Sequence, residues 1–288
     1  MKKGIKVGLV GFGSIGRVHT MANLVMPVVL KDLPFKLTLG KVYRKHQEGS
    51  LALGEGYATS LEEILQDEAT NVVDICTPNH LHREQALGAI EYRKDLYLEK
   101  PLGNKYHEAG LLTEEAEEAG VANQTAFVYR FLPAVVSLRD LVREKSIGEI
   151  IDFQVVCWHS SYLNRERPIS WKLKEETSGG GPLLDLGIHL IDMVRFVLGE
   201  VAEVSSEMKT VIKQRPEKGQ EELQEVDVED WARTRLSLEN GIEGIMEVSR
   251  VASVLEQKTE FIILGTKGSI KFSTDNPALL TSIPRNGE

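Results

Sequence analysis

The sequence has little cysteine and no long apolar run. Cys76 and Cys157 are the two cysteines among 288 residues, and they fall in separate predicted strands. This argues against a disulfide or metal site and favours buried thiols in a reduced, cytoplasmic protein. The apolar run "LVMPVVL" contains a proline and is too short to cross a membrane. We therefore expect a protein without metal that does not span a membrane.

A strong excess of basic charge is also missing. The 34 Lys and Arg residues are mixed with 43 Asp and Glu residues, which gives a net charge of -9. Without a basic stripe, a nucleic-acid partner is not expected. The opening "MKKGIKVGLVGFG" imitates a signal peptide, but glycines interrupt it and no cleavage site follows, so we predict a buried strand. A hydrophobic content of 42% provides a core, and the length suits two domains.

Strands and helices alternate in the first part of the chain. The predicted strands are "IKVGLVG", "FKLTLGKVY", "NVVDICTP", "DLYLEKP" and "VANQTAFVY", the last counted as the sixth strand. Helices are predicted near Ser14 and in "SLEEILQD", "HREQALGAIEYR" and "YHEAGLLTEEAEEAG", with Ser60 and Glu63 forming a capping box. This alternation predicts an α/β fold, a doubly wound parallel sheet with helices on both faces, over residues 1–126.

The second part, residues 127–288, has a different pattern. Six strands follow about residue 146 without intervening helices, except for one long helix after Gly181. Asn240-Gly241 and "GTKG" are hairpin turn signals. The segment "KQRPEKGQEELQEVDVE" is predicted to be a mobile connector. We expect an α+β domain with an open, mainly antiparallel sheet.

A glycine-rich loop links the first strand to the first helix. In "GFGSIG", Gly11, Gly13 and Gly16 have the spacing that lets a backbone approach a pyrophosphate at a helix N-terminus. We predict that the whole loop, with Phe12, Ser14 and Ile15, binds a dinucleotide. The alternative is a tight turn in another kind of α/β protein.

The end of the second strand bears on the choice of cofactor. Tyr43, Arg44 and Lys45 stand where an acid would bind the adenosine ribose. Two cations suit a 2′-phosphate, so NADP is favoured over NAD. Two alternatives remain: the cations only solvate a helix start, or Glu48 reaches the ribose and both cofactors are used.

Polar residues follow two further strands, where ligands bind in parallel sheets. In "CTPNHLH", the predicted cofactor contacts are Thr77, Pro78, Asn79 and His82, although Asn79 could simply cap the next helix. In "EKP", Glu99 and Lys100 face the same crevice, and the lysine can donate a proton or polarise an oxygen. An isolated lysine is more often a solvated surface residue.

The segment "GGGPLLDLGIHLID" places polar residues in an apolar helix. Asp185, His189 and Asp192 are spaced i, i+4, i+7 and so share a face. Such groups are costly to bury without partners, which predicts a polar site. The alternative is a buried His189 that is satisfied by Asp185 alone.

Taken together, the motifs resemble the Gfo/Idh/MocA family of NAD(P)-dependent oxidoreductases. "GFGSIGRVH", "CTPNHLHREQALGAIE", "LEKPLGN", "SGGGPLLDLGIHLIDM" and "GTKGSIKFS" occur in family order over nearly the whole chain. The resemblance implies a Rossmann domain followed by a domain with an open antiparallel sheet. Family members mostly act on a secondary alcohol or ketone of sugars, sugar acids and cyclic polyols, and usually continue well beyond the position of Glu288.

The resemblance also implies roles for individual residues. Lys100, Asp185 and His189 would form the catalytic set, with Asp192 as the usual second acid. Trp171 and Lys172 stand where the family often has Trp-Arg and would contact the cofactor. Lys100, Asp185 and His189 would also bind substrate, together with Trp158 and Tyr162. Further candidates in the segment "CWHSSYLNRERPISW" are His159, Arg165 and Arg167.

We therefore predict an NAD(P)-dependent dehydrogenase or reductase for a carbohydrate or polyol. His189 would be the general acid and base, and Lys100 would stabilise the alkoxide. The alternatives are an NAD-dependent glycosidase and, less favoured because both residues are present, a non-catalytic NAD(P)-binding regulator. Alternation in "IEGIMEVSRV" and "WARTRLSLE" predicts Ile and Leu on one side of the sheet and Met, Val and Thr partly on the other. This favours a homodimer or homotetramer through the C-terminal sheet.

Overall fold

The computed structural model describes residues 3–45, 51–220, 222–253 and 257–284. The chain divides into two compact units, with the boundary between Ala126 and Phe127. Among the described residues, no helix is long and apolar enough to cross a membrane.

The first unit contains a parallel sheet with the strand order β2-β1-β3-β4-β5. The strands are β1 Lys3–Val10, β2 Phe35–Tyr43, β3 Val72–Ile75, β4 Asp95–Leu98 and β5 Asn123–Thr125. The helices are α1 Ser14–Val29, α2 Leu61–Leu65, α3 His82–Glu91 and α4 Tyr106–Ala119. This confirms the α/β prediction and places the glycine-rich loop after β1, which lies between β2 and β3 where the strand order reverses and ligands bind.

Two details of the first unit differ from the sequence prediction. The described part of the unit has five strands, so counting "VANQTAFVY" as the sixth was wrong by one, and the last two residues of that segment begin a 3-10 turn, Val128–Phe131. At α2, Ser60 accepts the backbone N–H of Glu63 at 3.3 Å as expected. The Glu63 carboxylate, however, bonds the backbone N–H of Thr59 at 2.6 Å, because a salt bridge with Lys41 also orients it. Only the Ser60 half of the predicted capping box is therefore observed among the described contacts.

The second unit contains a seven-stranded sheet with the order β14-β13-β12-β6-β11-β10-β7. Its strands are β6 Ile150–Trp158, β7 Val201–Lys209, β10 Trp231–Leu238, β11 Glu243–Ser249, β12 Lys258–Gly265, β13 Gly268–Ser273 and β14 Leu280–Pro284. Every pairing is antiparallel except that of β6 with β11. The predicted mainly antiparallel sheet is confirmed.

Helices cover one face of this sheet. They are α5 Pro133–Arg143 and α7 Ile188–Leu198, and the unit also contains the short helix α6 Glu175–Ser178. Leu190 and Met193 of α7 and Leu138 of α5 are buried with strand residues such as Phe153 and Phe261 in one apolar cluster. Helix α5 was not predicted, although Pro133 at its first turn is a typical helix start.

The predicted mobile connector has regular structure. Strands β8 Gln214–Pro216 and β9 Leu223–Glu225 form an antiparallel pair within it. Arg215 is only 1% exposed, and its guanidinium donates to the carbonyl oxygens of Tyr162 and Asn164. The expectation of a mobile loop was wrong because a buried arginine fixes the hairpin, which composition alone could not reveal.

The two faces of the sheet also differ from the expectation. Thr234, Leu236, Met246 and Val248 are all buried on the helix side, whereas Ile245 is 39% exposed on the other side. Alternation with a period of two dictates this arrangement. The predicted division, with Ile and Leu opposite Met, Val and Thr, was therefore wrong.

Candidate active site

The glycine-rich loop of the first unit has the geometry of a phosphate cradle. Gly11 has a φ of 97°, and a β-carbon there would lie 2.7 Å from the backbone of Cys76. A β-carbon at Gly16 would overlap the carbonyl oxygen of Gly11, whereas one at Gly13 would meet no atom within 4 Å. Two glycines thus pack backbone against backbone, and the third leaves open space before the N-terminus of α1. These residues fit the pyrophosphate of a dinucleotide.

The end of β2 lies directly beside this loop. The N–H of Gly11 donates to the carbonyl oxygen of Tyr43 at 2.8 Å, so Arg44 and Lys45 follow at the same edge. Arg44 is half-buried, Lys45 is exposed, and neither has a carboxylate within ion-pair distance among the described residues. Glu48, the alternative ribose ligand, lies outside the described residues.

His82 does not face a ligand in the first unit. Its ring is fully buried, and its two nitrogens lie 2.7 Å from the carbonyl oxygen of Pro101 and 2.8 Å from that of Thr77. Burial lowers the pKa of His82. The prediction of a direct cofactor contact does not fit this burial, because both ring nitrogens of His82 are taken up by the loops that follow β3 and β4. Thr77 is only half-buried, and its hydroxyl donates to Gln85 at 2.6 Å.

A cluster that the sequence analysis missed surrounds His19 of α1. Its Nδ1 lies 2.9 Å from Oδ1 of Asp74 and 3.1 Å from Sγ of Cys76, and its Nε2 lies 3.3 Å from Oε1 of Glu99. Burial opposes the charged form, but the bonds to Asp74 and Glu99 prevail and raise the pKa of His19 to about 9. His19 is therefore an imidazolium between two carboxylates near neutral pH. Burial raises the pKa of the Cys76 thiol, which stays protonated.

This cluster connects α1 to the end of β4. Oε2 of Glu99 accepts a hydrogen bond from the backbone N–H of Lys100 at 3.2 Å. His19 is therefore linked through Glu99 to the turn that carries the predicted catalytic lysine. The sequence feature that could have indicated this cluster is Asp74, because a carboxylate in the buried strand "VVDI" needs a cationic partner.

The second unit contains a polar cavity of about 500 Å³. It is lined by His159, Ser161, Tyr162, Arg167, Ser170, Trp171, Lys172, Asp185, Leu186 and Arg250. The structure thus brings together six residues that the sequence analysis had named from two separate segments. Arg250 and the two serines were not predicted.

Asp185 is held by two cations at the wall of this cavity. Its Oδ2 accepts from Nζ of Lys172 at 3.1 Å and from Nη2 of Arg250 at 2.8 Å. Arg250 is 3% exposed and also donates to the carbonyl oxygen of Lys172 at 3.2 Å. Asp185 lies in a π-helical turn, Leu183–Gly187, of a type often found at functional sites. The signal for Arg250 was an arginine directly after the apolar strand β11.

His189 and Asp192 lie further along the same helical segment. The His189 ring is 6.2 Å from that of Phe127 and 5.5 Å from that of Tyr129, between centroids. Asp192 is buried and accepts from Nε of Arg130 at 2.8 Å through both carboxylate oxygens. Asp192 is therefore committed to an ion pair, while Asp185 faces the cavity.

Trp158 lies away from the cavity. Its indole N–H donates to Glu247 at 3.1 Å, and Lys258 lies 5.6 Å from its ring centroid, on the outer face of the sheet. Because neighbouring Cys157 points into the core, Trp158 must point the other way. The predicted substrate contact by Trp158 is corrected accordingly. Arg165 is exposed on the loop between His159 and Arg167.

Comparison with known proteins covers almost the whole chain. A family model described as "Oxidoreductase family, NAD-binding Rossmann fold" matches residues 5–127, and one described as "GFO/IDH/MocA C-terminal domain" matches residues 135–271. Levoglucosan dehydrogenase of Pseudarthrobacter phenanthrenivorans is 31% identical over 287 residues, which cover 93% of this chain and 73% of that protein. Glucose-6-phosphate 3-dehydrogenase of Bacillus subtilis is 28% identical over 94% of this chain and 75% of its own length.

Solved structures give the same relationship. Levoglucosan dehydrogenase in complex with NADH has a TM-score of 0.93 and 30% identity, covering 99% of this chain and 77% of that one. The complex with NADH and levoglucosan has a TM-score of 0.92 at 29% identity, with coverage of 99% and 78%.

Proposed function

We propose that this chain, which belongs to the Gfo/Idh/MocA oxidoreductases, transfers a hydride between a nicotinamide dinucleotide and a secondary alcohol or ketone of a polyhydroxylated, sugar-like substrate. The observation that carries the proposal is the cavity in which Lys172 and Arg250 hold Asp185. Several directed donors and one fixed carboxylate suit a ligand with many hydroxyl groups.

The dinucleotide supplies the hydride acceptor or donor when it is bound. The loop 11–16 would bind its pyrophosphate, and Thr77, Pro78, Asn79 and Glu99 would flank it at the ends of β3 and β4. Trp171 and Lys172 are proposed contacts from the second unit. His82 would act through the two loops that it joins.

The protein residues would manage the proton and the charge of the reaction. His189 would take the hydroxyl proton during oxidation and return it during reduction, because an imidazole exchanges protons readily near neutral pH. Lys100 would hydrogen-bond the same oxygen and stabilise its developing negative charge. Asp185, oriented by its two cations, and Tyr162 would bind neighbouring groups of the substrate.

The proposed reaction is tested by its redox stoichiometry. A dehydrogenase forms one reduced nicotinamide for each product molecule, whereas a glycosidase of the same fold shows no net change and a regulator forms no product. We expect equal amounts of product and reduced nicotinamide in a screen of sugars, inositols and sugar acids with NAD and NADP. Product without net reduction of the nicotinamide would favour the glycosidase.

We further propose that NADP binds at least as tightly as NAD. Arg44 is beside the cradle without a carboxylate partner among the described residues, and a guanidinium binds a phosphate through two hydrogen bonds. Arg44→Ala should weaken NADP binding by about tenfold or more and leave NAD nearly unchanged. Calorimetric titration of both cofactors decides this. An NAD affinity about tenfold better than that of NADP in the unmodified protein would contradict it.

Self-association through the outer face of the second unit's sheet remains a proposal. This face carries ion pairs of Arg233 with Glu247 and Arg235 with Glu243, beside exposed Ile245. Paired charges around aromatic and aliphatic side chains are compatible with an interface between two copies. Sedimentation should show at least a dimer, and a stable monomer at micromolar concentration would contradict the proposal.

A further inference from the structure

The side chains that line the cavity of the second unit carry more positive than negative charge. Its described lining residues include three cationic side chains, Arg167, Lys172 and Arg250, against one carboxylate, Asp185, a net charge of +2. Burial lowers the pKa of His159, although the nearby Asp185 carboxylate acts in the opposite direction, so the positive charge counted here comes from the arginines and the lysine. A partly enclosed space with one sign of charge raises the local concentration of oppositely charged ligands.

Asp185 balances only one of the positive charges in the cavity. The guanidinium of Arg250 is 3% exposed and therefore needs a nearby negative charge, which Asp185 supplies at 2.8 Å. Lys172 shares the same carboxylate oxygen at 3.1 Å. One carboxylate between two cations leaves one positive charge unmatched.

Arg167 supplies the second unmatched charge. Its Nη1 donates to the carbonyl oxygen of Ser161 at 2.8 Å, and its Cζ lies 4.0 Å from the ring centroid of Tyr162. Among the described residues, no carboxylate lies within ion-pair distance of this guanidinium. The ring and the carbonyl thus orient Arg167 while its remaining N–H groups face solvent or a ligand.

From this excess of positive charge we infer that the substrate carries a carboxylate or phosphate group, and that Arg167 binds that group with help from Lys172. A guanidinium matches the geometry of both oxyanions through paired hydrogen bonds. A neutral sugar would leave the excess charge of the cavity without a partner. The inference rests on the proposed function, because it concerns the substrate of the same cavity.

The pyrophosphate of the dinucleotide is a second possible source of the same oxyanion chemistry. The experiment therefore measures substrate and cofactor separately. Purified full-length protein is given neutral sugars and their charged counterparts, such as glucose beside glucuronate and glucose 6-phosphate, with saturating nicotinamide dinucleotide. KM is obtained from turnover, and calorimetry gives the affinity for each sugar and for the dinucleotide alone.

We expect the charged member of at least one pair to have a KM about tenfold or more below that of its neutral partner. Arg167→Gln should raise that KM by about tenfold, and Arg167→Lys, which keeps the charge, should restore part of the loss. Neither variant should change the KM of the neutral sugar by more than about twofold. Arg143→Gln, on the exposed end of α5, is the matched control and should change neither value.

Three results would overturn the inference. The first is an equal or lower KM for the neutral sugars, and the second is an equal effect of Arg167→Gln on both members of a pair. The third is weaker dinucleotide binding by Arg167→Gln with an unchanged substrate KM, which would assign the oxyanion to the cofactor. Charged sugars that bind selectively but exchange no hydride would support the charge selectivity and contradict only the proposed function.

Discussion

Replacing His19 with glutamine should destabilise the first unit at neutral pH and do so less as the pH rises. His19 is an imidazolium between Asp74 and Glu99, and its pKa is raised from 6.5 to about 9. Glutamine can donate one hydrogen bond but carries no positive charge. His19→Gln therefore leaves two carboxylates close together without the cation that separates them.

The size of the effect follows from the pKa of His19. A rise from 6.5 to about 9 corresponds to at most about 3 kcal/mol in the free energy of unfolding. The ring is 11% exposed, so we expect about 2 kcal/mol to be observed. Because the folded pKa is the higher one, this stabilisation is complete below about pH 6.5 and is lost as the pH rises through about 9.

The assay must report on the first unit. All three tryptophans, Trp158, Trp171 and Trp231, lie in the second unit, so tryptophan fluorescence does not suffice. The protein is equilibrated in urea at about pH 6, 7.5 and 9.5 and then labelled with a short deuterium pulse at one fixed pH. Mass spectrometry of peptides from β1, β3 and β4 then gives the fraction of molecules in which the first unit is unfolded.

The matched control is His107→Gln, which changes an exposed histidine of α4 in the same unit. This variant should show no pH-dependent difference from the unmodified protein. A His19→Gln difference that stays constant with pH, or grows above about pH 9, would refute the reasoning. Stabilisation of the unmodified protein by added zinc, absent in the variant, would also refute it and indicate a metal site.

Four further substitutions test three separate parts of the structure. Gly13→Ala should leave stability unchanged but weaken dinucleotide binding by about tenfold or more, because the added methyl group enters only open space. Gly16→Ala should lower both stability and binding, because its methyl group would overlap the carbonyl oxygen of Gly11. Thermal unfolding measures the stability of each variant, and calorimetry measures its affinity for the dinucleotide. Arg130→Ala should cost about 2–4 kcal/mol in urea unfolding followed by tryptophan fluorescence, because Asp192 would remain buried without its partner. Arg215→Met should release the hairpin of β8 and β9, which would be seen as faster hydrogen exchange in these strands. It should also raise the substrate KM, because the same arginine holds the carbonyl oxygens of Tyr162 and Asn164 beside the cavity.

The sequence predicts the fold of this protein well where local patterns determine it. The alternation of strands and helices, the glycine loop and the Asn240-Gly241 turn are all local, and the structure contains each of them. Tyr162, Trp171, Lys172 and Asp185, which the motifs named as cofactor or substrate contacts, line one cavity, and their roles stay predictions. Side chains that form contacts over long sequence separations were harder to predict.

Several of the errors share one physical cause, namely contacts between residues that lie far apart in the sequence. His19 and Asp74 are 55 residues apart, and Arg250 and Asp185 are 65 apart, so no local pattern pairs them. Arg215 was assigned to a mobile loop because its partners are backbone carbonyls about 50 residues away, which composition does not show. Trp158 was assigned to the cavity together with its neighbours in the segment. It is the last residue of strand β6, however, and the alternation of side chains along that strand places it on the face opposite Cys157.

The transfer of isotope from substrate to cofactor tests the central claim most directly. A sugar that is turned over is supplied with deuterium on the carbinol carbon that becomes the ketone, and the reduced nicotinamide is analysed by mass spectrometry. Our account predicts one deuterium in each reduced nicotinamide formed, and a His189→Ala variant slower by about 10²–10⁴-fold that still transfers deuterium. Release of the deuterium to water, or full turnover by His189→Ala, would contradict the account.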